Sequence, residues 1–202
     1  MIEIQNLCKA FGEHKLFDNF SLTVPDGEFL ILAGVSGCGK TTLLNMIGAL
    51  EPMDSGKITV NGLDITRRQN RRTYLRREVG FLFQNFALVD NKTVRENLNF
   101  IKNDCRSDLF PEIALERVGL LDKIDQKVYS LSGGEQQRAA LARLMIKRCS
   151  LVLADEPTGS LDRANAERVF SLLETLQQMG KTVIMATHDE SFLQKGKRVI
   201  KL

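Results

Sequence analysis

The sequence predicts an α/β fold built around a mostly parallel β-sheet. Four short apolar runs have the continuous hydrophobicity of strands that are buried on both faces. They cover residues 28–33, 79–83, 151–154 and 182–186. Segments with helical periodicity or helix-start signals lie between these runs, which is the alternation expected of a parallel sheet. A chain of 202 residues has room for one such domain, or for a core domain with a subdomain.

The composition is that of a globular protein, with 43% hydrophobic and 26% charged residues. No apolar run approaches the roughly 18 residues of a membrane-spanning helix, and the N-terminus lacks the basic start and apolar core of a signal peptide. Cys8, Cys38, Cys105 and Cys149 show no paired metal-ligand spacing, so we expect reduced thiols in the cytosol. A net charge of +3 is too small to indicate a nucleic-acid partner, and none is expected.

A smaller antiparallel sheet is predicted beside the first apolar run. Apolar residues alternate with polar ones in 2–4 and in 20–24, as in half-buried strands. A further short strand over 57–60 ends at Asn61-Gly62, which is a strong hairpin signal.

The stretch Gly34–Thr42 fits the pattern G-x-x-x-x-G-K-[ST] and predicts a loop that binds nucleotide phosphates. Its glycines let backbone N–H groups turn toward phosphate oxygens. Lys40 would supply a cation for the β- and γ-phosphates and Thr41 a hydroxyl for Mg²⁺. A chance glycine-rich turn is disfavoured, because a predicted strand precedes the loop and a predicted helix follows it. The candidate binding residues are Gly34, Val35, Ser36, Gly37, Cys38, Gly39, Lys40, Thr41 and Thr42.

Two acids, Asp155 and Glu156, end the apolar run 151–154. A phosphate loop needs such an acid to hold Mg²⁺, and Asp155 suits that role. Glu156 suits a general base or a residue that positions the attacking water. The alternative, a pair of solvated acids at a strand end, is disfavoured by the phosphate loop upstream.

Two more polar residues follow apolar runs. His188 comes just after the run 182–186, where ligand sites of parallel sheets usually lie. Gln84 follows the run 79–83 and is a candidate site residue or an ordinary loop glutamine. His14 lies in a predicted polar loop and is expected to be a bystander.

Between residues 84 and 150 the pattern becomes helical. The predicted helices cover 93–103, 111–118 and 132–148, and the first opens with a capping box at Thr93 and Glu96. The third opens with Ser132-Gly133-Gly134-Glu135, which predicts either a second anion site or a well-capped helix.

The segment Leu131–Glu135 followed by Gln136-Gln137-Arg138 resembles the signature of the nucleotide-binding subunits of ABC transporters. The resemblance covers essentially the whole chain. It includes Gln84 as the lid-loop glutamine, 154–158 as the acidic motif, 160–162 as the D-loop and His188 as the switch histidine.

This resemblance implies an α/β P-loop NTPase (RecA-like) core from 1–83 and 151–202, with an antiparallel β subdomain and an inserted α-helical subdomain at 84–150. It implies ATP and Mg²⁺ as cofactors, with Thr41, Gln84 and Asp155 around the metal. It places Glu156, His188, Lys40 and Gln84 in catalysis. It also places Phe11 against the adenine, with a core or hairpin aromatic as the alternative for that residue. Further nucleotide contacts are implied for Ser132, Gly133, Gly134, Glu135, Asp155 and Asp162.

The same resemblance implies two partners. A second copy would pair head to tail on ATP, and separate membrane permease subunits would dock near Gln84. The chain would then be cytoplasmic and peripheral on the inner face of the cell membrane. Sequence details around Gln84 and Asp155 resemble the MacB and LolD branch, whose members export or extract peptides, lipoproteins or drug-like compounds. An importer subunit and an FtsE-like signalling module remain alternatives.

Competing nucleotide-binding families explain less of the sequence. A P-loop kinase or small GTPase would account for the phosphate loop but not for residues 131–138 or His188. A DNA-repair ATPase would need long coiled-coil insertions, for which 84–132 is too short. The arginine-rich segment 67–77, with six arginines, is interpreted as a solvated helix face rather than a site for acidic lipids or nucleic acid.

Overall fold

The computed structural model describes residues 1–159, 161–195 and 197–202. The predicted D-loop residue Ser160 lies outside the described residues. The described chain contains two β-sheets and seven α-helices. The strands are β1 (Ile2–Phe11), β2 (His14–Val24), β3 (Phe29–Ala33), β4 (Ser55–Val60), β5 (Leu63–Asp64), β6 (Val79–Leu82), β7 (Leu151–Asp155), β8 (Thr182–Thr187) and β9 (Arg198–Lys201). The helices are α1 (Lys40–Ile47), α2 (Arg68–Arg77), α3 (Val94–Asn99), α4 (Pro111–Val118), α5 (Gly133–Ile146), α6 (Arg163–Gln178) and α7 (Glu190–Leu193).

The larger sheet is parallel throughout, with strand order β6-β7-β8-β3-β9. Its three middle strands are buried along almost their whole length, as the continuous apolar runs predict. Because all strands run the same way, the carboxyl ends of β3, β7 and β8 meet at one edge. The predicted α/β fold class is confirmed.

The smaller sheet is antiparallel, with strand order β2-β1-β4-β5. Asn61 and Gly62 both have positive φ, 51° and 77°, at the tight turn between β4 and β5. This is the turn geometry whose twist suits a two-residue hairpin. His14 is the exposed first residue of β2 rather than part of a loop, which corrects its predicted placement.

Alternate residues of the parallel sheet enter different hydrophobic clusters. Ile31 and Val152 pack with α3, α4, α5 and α6, whereas Leu30 and Leu153 pack with α1, α2 and the antiparallel sheet. Burial of both faces leaves the carboxyl edge of the sheet as the place where polar groups can gather.

Two helices end earlier than predicted, because tertiary contacts satisfy their last carbonyl groups. Helix α3 ends at Asn99, and the Arg106 guanidinium donates to the Leu98 and Ile101 oxygens at 3.2 and 2.9 Å. Helix α5 ends at Ile146, whose oxygen accepts from the Ser107 backbone at 2.7 Å. Helix α7 was not predicted, because it is only four residues long.

Within the described ranges, no helix is both long enough and apolar enough to cross a membrane.

Candidate functional site

A cleft of about 900 Å³ opens at the carboxyl edge of the parallel sheet. It collects residues from the loop after β3 and from the ends of β6, β7 and β8. The predicted site residues that line it are Gly34, Val35, Ser36, Gly37, Gly39, Lys40, Thr41, Thr42, Gln84, Glu156 and His188. Phe11, Cys38, Ser132, Gly133, Gly134, Glu135, Asp155 and Asp162 are not in its lining.

The loop between β3 and α1 leaves backbone N–H groups free for an anion. Gly39 is the N-cap of α1, has a φ of 102°, and provides no side chain to cap the helix. The backbone conformation therefore favours glycine, and a Cβ atom at Gly39 would lie in tight contact, 3.0 Å, with the side chains of Leu16 and Phe17. The first turn of α1 therefore presents uncapped donors and the positive end of its dipole to the cleft.

Lys40 is 6% exposed and its ammonium lies over the loop. Its Nζ donates to the Gly34 and Val35 backbone oxygens at 2.7 and 3.0 Å. It also lies 3.9 Å from Glu156 Oε1, so the cation sits between the loop and the acid at the end of β7. A phosphate entering the loop meets a positive charge that is already in position.

Cys38 lies behind the loop rather than in the cleft. Its Sγ is 3.9 Å from Lys40 Nζ, and a Cβ atom added at Gly34 would approach that Sγ to 2.5 Å. The thiol is half-buried. A group added to the sulfur would therefore press on Gly34 or displace the ammonium.

Thr41 and Asp155 supply a pair of hard oxygen atoms from two different elements. Thr41 Oγ1 donates to Asp155 Oδ1 at 3.0 Å. Burial raises the pKa of Asp155 above its usual range, against the lowering effect of the Thr41 hydrogen bond, and the charge of Glu156 raises it further. A hydroxyl and a partly buried carboxylate fit Mg²⁺, which takes few protein ligands and completes its shell with water and phosphate oxygens.

Glu156 has a positive φ of 44°, which is unusual for a residue other than glycine. Its Oε2 lies 2.9 Å from His188 Nδ1, within ion-pair distance, and accepts no other hydrogen bond among the described residues. A water molecule bound in the cleft can donate to it, so the carboxylate fits the predicted role of positioning or deprotonating water.

The loop that follows Gln84 is held in a strained conformation. Phe86 and Ala87 both have positive φ, 62° and 47°. The guanidinium of Arg143, on α5, donates to the Ala87 oxygen at 2.7 Å and to the Phe86 oxygen at 3.3 Å. Sequence analysis missed Arg143, because no local pattern shows that an arginine of α5 reaches the loop after β6.

Phe11 is the last residue of β1 and is 52% exposed, which rules out a core role. The ammonium of Lys9 lies 4.8 Å from its ring centroid. Lys9 is itself held by Glu51 Oε1 at 2.7 Å. The ring is therefore supported from within the chain and has exposed surface that is available for stacking.

The signature residues form a well-capped helix start. Ser132 is the N-cap of α5, and it forms a capping box with Glu135, which also pairs with Lys123. Ser132 and Gly133 are exposed, whereas Gly134 is buried against the side chain of Asn165. Asp162 caps α6 by accepting from the Asn165 backbone at 2.9 Å.

The sequence and structure of the chain are similar to those of known proteins. The sequence profile described as ABC transporter matches residues 17–159. The chain belongs to the ABC transporter family. This confirms the resemblance inferred from residues 131–138 and accounts for a phosphate loop and a signature helix in one chain.

Two relatives within the family illustrate its range. The macrolide export ATP-binding/permease protein MacB of Campylobacter jejuni is 38% identical over 209 residues, covering 100% of this chain and 33% of MacB. The chain thus spans about a third of the length of that ABC transporter protein. The cell division ATP-binding protein FtsE of Escherichia coli K12 is 39% identical over 202 residues, covering 96% of this chain and 91% of FtsE.

Solved ABC transporter structures share the fold. A dimeric post-hydrolysis state of the ATP-binding cassette MJ0796, bound to ADP and Pi, has a TM-score of 0.84 and 32% sequence identity. The match covers 100% of this chain and 94% of that one.

Proposed function

We propose that this chain is the ATP-binding and hydrolysing subunit of a bacterial ABC transporter. The observation that carries the proposal is the convergence of Lys40, Thr41 and Glu156 in one cleft, with Asp155 hydrogen-bonded to Thr41 at its edge. Family membership and the similarity to a cassette described as bound to ADP and Pi support ATP as the nucleotide.

The residues have complementary roles in this proposal. The loop amides and Lys40 hold the β- and γ-phosphates, and Phe11 stacks on the adenine. Thr41 and Asp155, with Gln84, hold Mg²⁺, which neutralises phosphate charge when it is bound. Glu156 accepts a proton from the attacking water, and His188 and Lys40 stabilise negative charge on the γ-phosphate.

Completion of the site requires a second copy of the chain. Ser132–Glu135 lie outside the cleft of their own subunit, on the subdomain that we assign to 84–150. In a head-to-tail pair, the exposed N-terminus of α5 in one subunit faces the phosphates held by the other, with Asp162 near the same junction. The dimeric cassette MJ0796 supports this arrangement.

We further propose that the pair works beneath separate permease subunits, which dock near Gln84 on the inner face of the cell membrane. The MacB-like sequence favours export or extraction of a peptide, lipoprotein or drug-like substrate.

The similarity to FtsE favours one alternative, an ATP-driven signal to a membrane partner that moves no substrate. Reconstitution with a permease subunit that binds this chain separates the two. ATP-dependent movement of substrate supports transport, whereas ATP turnover without movement supports signalling.

Replacement of Lys40 tests the nucleotide site. Because Lys40 is the cation that the Gly34 and Val35 oxygens hold over the loop, Lys40→Ala should lower turnover at least about hundredfold and weaken MgATP binding. The control is Lys57→Ala, which removes an exposed lysine of β4 and should keep wild-type activity. Near-normal turnover by Lys40→Ala contradicts the assignment.

A further inference from the structure

The turn that carries Glu156 is held in place by a side chain from α5, the helix that begins at the signature residues and is called the signature helix below. Glu156 occupies a left-handed conformation that non-glycine residues rarely adopt, and a proline follows it. Such a conformation persists only where its surroundings restrain it. The direction of the Glu156 carboxylate therefore depends on what holds residues 156–159.

Among the described residues, three hydrogen bonds hold the backbone of Glu156 and Pro157 in this turn. The Glu156 N–H donates to the Ala186 oxygen at 3.0 Å, and the Gly159 N–H donates to the Glu156 oxygen at 3.2 Å. The third comes from α5, where Gln137 Nε2 donates to the Pro157 oxygen at 2.9 Å. Pro157 has no N–H, so its carbonyl is the polar backbone group through which this residue can be anchored.

Gln137 is poorly explained by stability alone. The residue is 1% exposed, and its Oε1 has no hydrogen-bond donor among the described residues. Burial of an unpaired amide oxygen is unfavourable, and an apolar side chain of similar size would avoid it. The structure thus accepts an unpaired oxygen while the amide nitrogen holds Pro157.

We infer that Gln137 is a positioning residue for hydrolysis, which acts by fixing the Pro157 carbonyl and thereby the direction of the Glu156 carboxylate. The inference rests on the proposed ATPase function. Gln137 lies in the second turn of α5, five residues after the Ser132 cap. A displacement of the signature helix is then transmitted to Glu156 in the same subunit, as well as to the nucleotide of the partner.

The test compares Gln137→Met with Gln177→Met. Gln177 offers a matched bond, because its Nε2 donates to the Gly27 backbone oxygen at 2.8 Å away from the cleft. A misplaced catalytic group costs up to about hundredfold in rate, so Gln137→Met should lower kcat by about tenfold to hundredfold. Its KM for ATP should stay within about twofold, since the phosphate loop is intact. The Gln177→Met variant should keep wild-type kcat.

Two further variants make the result decisive. Gln137→Leu also removes the amide donor without burying a charge, so it should show the same kcat loss and can carry the test if Gln137→Met fails to fold. In a Glu156→Gln background, Gln137→Met should cause no further loss of activity, because both changes act on the same carboxylate.

Failure of the proposed ATPase function and failure of the inference about Gln137 give different experimental results. A wild-type protein that does not hydrolyse ATP, or a fully active Glu156→Gln variant, overturns the proposed function. If wild type is active and depends on Glu156, the inference about Gln137 is overturned by unchanged kcat in folded Gln137→Met and Gln137→Leu. Additive losses in the double variant overturn it as well.

Discussion

At the scale of single residues, Asp155 is an acidic residue in an environment that disfavours its charged form. Asp155 is partly buried at the end of β7, next to the second acid Glu156, and its pKa is raised mainly by burial. A carboxyl group with a raised native pKa binds a proton more readily in the folded than in the unfolded chain. Its contribution to the free energy of unfolding therefore falls as the pH rises above the ordinary value of 3.8.

Asp155→Asn should stabilise the protein in the absence of Mg²⁺ and nucleotide. The amide oxygen can still accept from Thr41, and the buried charge is gone. We expect about 0.5 to 1 kcal/mol at neutral pH, at the low end for stabilising substitutions because the carboxylate is only partly buried. Thermal unfolding at neutral pH and near pH 4 measures it, and the gain should shrink at the lower pH. A variant that is less stable than wild type at neutral pH contradicts this prediction. Separately, Asp155→Asn should lose Mg²⁺-dependent ATPase activity, because the proposed metal ligand is gone.

Cys38 should report on the occupancy of the phosphate loop. An added group at its Sγ would disturb Gly34 and Lys40, so maleimide treatment of the ligand-free protein should abolish ATPase activity. MgATP should protect Cys38 but not Cys8, the other half-buried cysteine. Peptide mass mapping measures both, and Cys38→Ser should stay active and insensitive. Modification of Cys38 at the same rate with and without MgATP contradicts the prediction.

At the scale of elements, α5 connects the parts of the site. Its N-terminus carries Ser132, Gln137 reaches the Glu156 turn, and Arg143 reaches the loop after Gln84. No carboxylate among the described residues pairs with Arg143, and burial lowers its pKa. Among the described residues, its hydrogen-bond acceptors are the backbone oxygens of the strained residues Phe86 and Ala87.

Arg143→Met should make the loop at residues 85–88 more mobile and leave the rest of the fold intact. Loss of both hydrogen bonds should speed amide hydrogen exchange at residues 85–88 about tenfold, or roughly 1.4 kcal/mol of local stability. Arg106→Met is a matched control, because Arg106 also donates to two backbone carbonyls, at the end of α3. Exchange of 85–88 that is equally fast in both variants would show that Arg143 has no specific hold on the loop.

At the scale of the whole molecule, one subunit contains only part of the proposed site. Phosphate loop, metal oxygens and Glu156 lie together, whereas the N-terminus of α5 lies elsewhere on the surface. If Glu156 serves hydrolysis more than binding, Glu156→Gln should bind MgATP, stall and accumulate as a dimer. Size-exclusion chromatography with crosslinking, with and without ATP, measures this.

The control for this experiment is Glu156→Gln combined with Lys40→Ala, which should remain monomeric because it cannot hold the nucleotide. A Glu156→Gln protein that binds MgATP yet stays monomeric at high protein concentration argues against head-to-tail sharing of the site.

The sequence by itself determined the fold class and much of the candidate site. Continuous apolar runs specify strands buried on both faces, and glycine spacing specifies a loop that exposes its amides. These signals are local, so they can be read from neighbouring residues. They placed Lys40, Thr41, Glu156 and His188, and the structure brings all four to one cleft.

Only the tertiary structure decided which distant residues hold the site together. The sequence signals no contact for Gln137, although it belongs to the signature, or for Arg143, and their backbone partners at Pro157 and Ala87 lie 20 and 56 positions away. The early ends of α3 and α5 have the same cause, because carbonyls satisfied by other segments need no further helical turn. Hydrogen bonds between a side chain and a remote backbone group produce no periodic pattern in the sequence, so only the tertiary structure shows them.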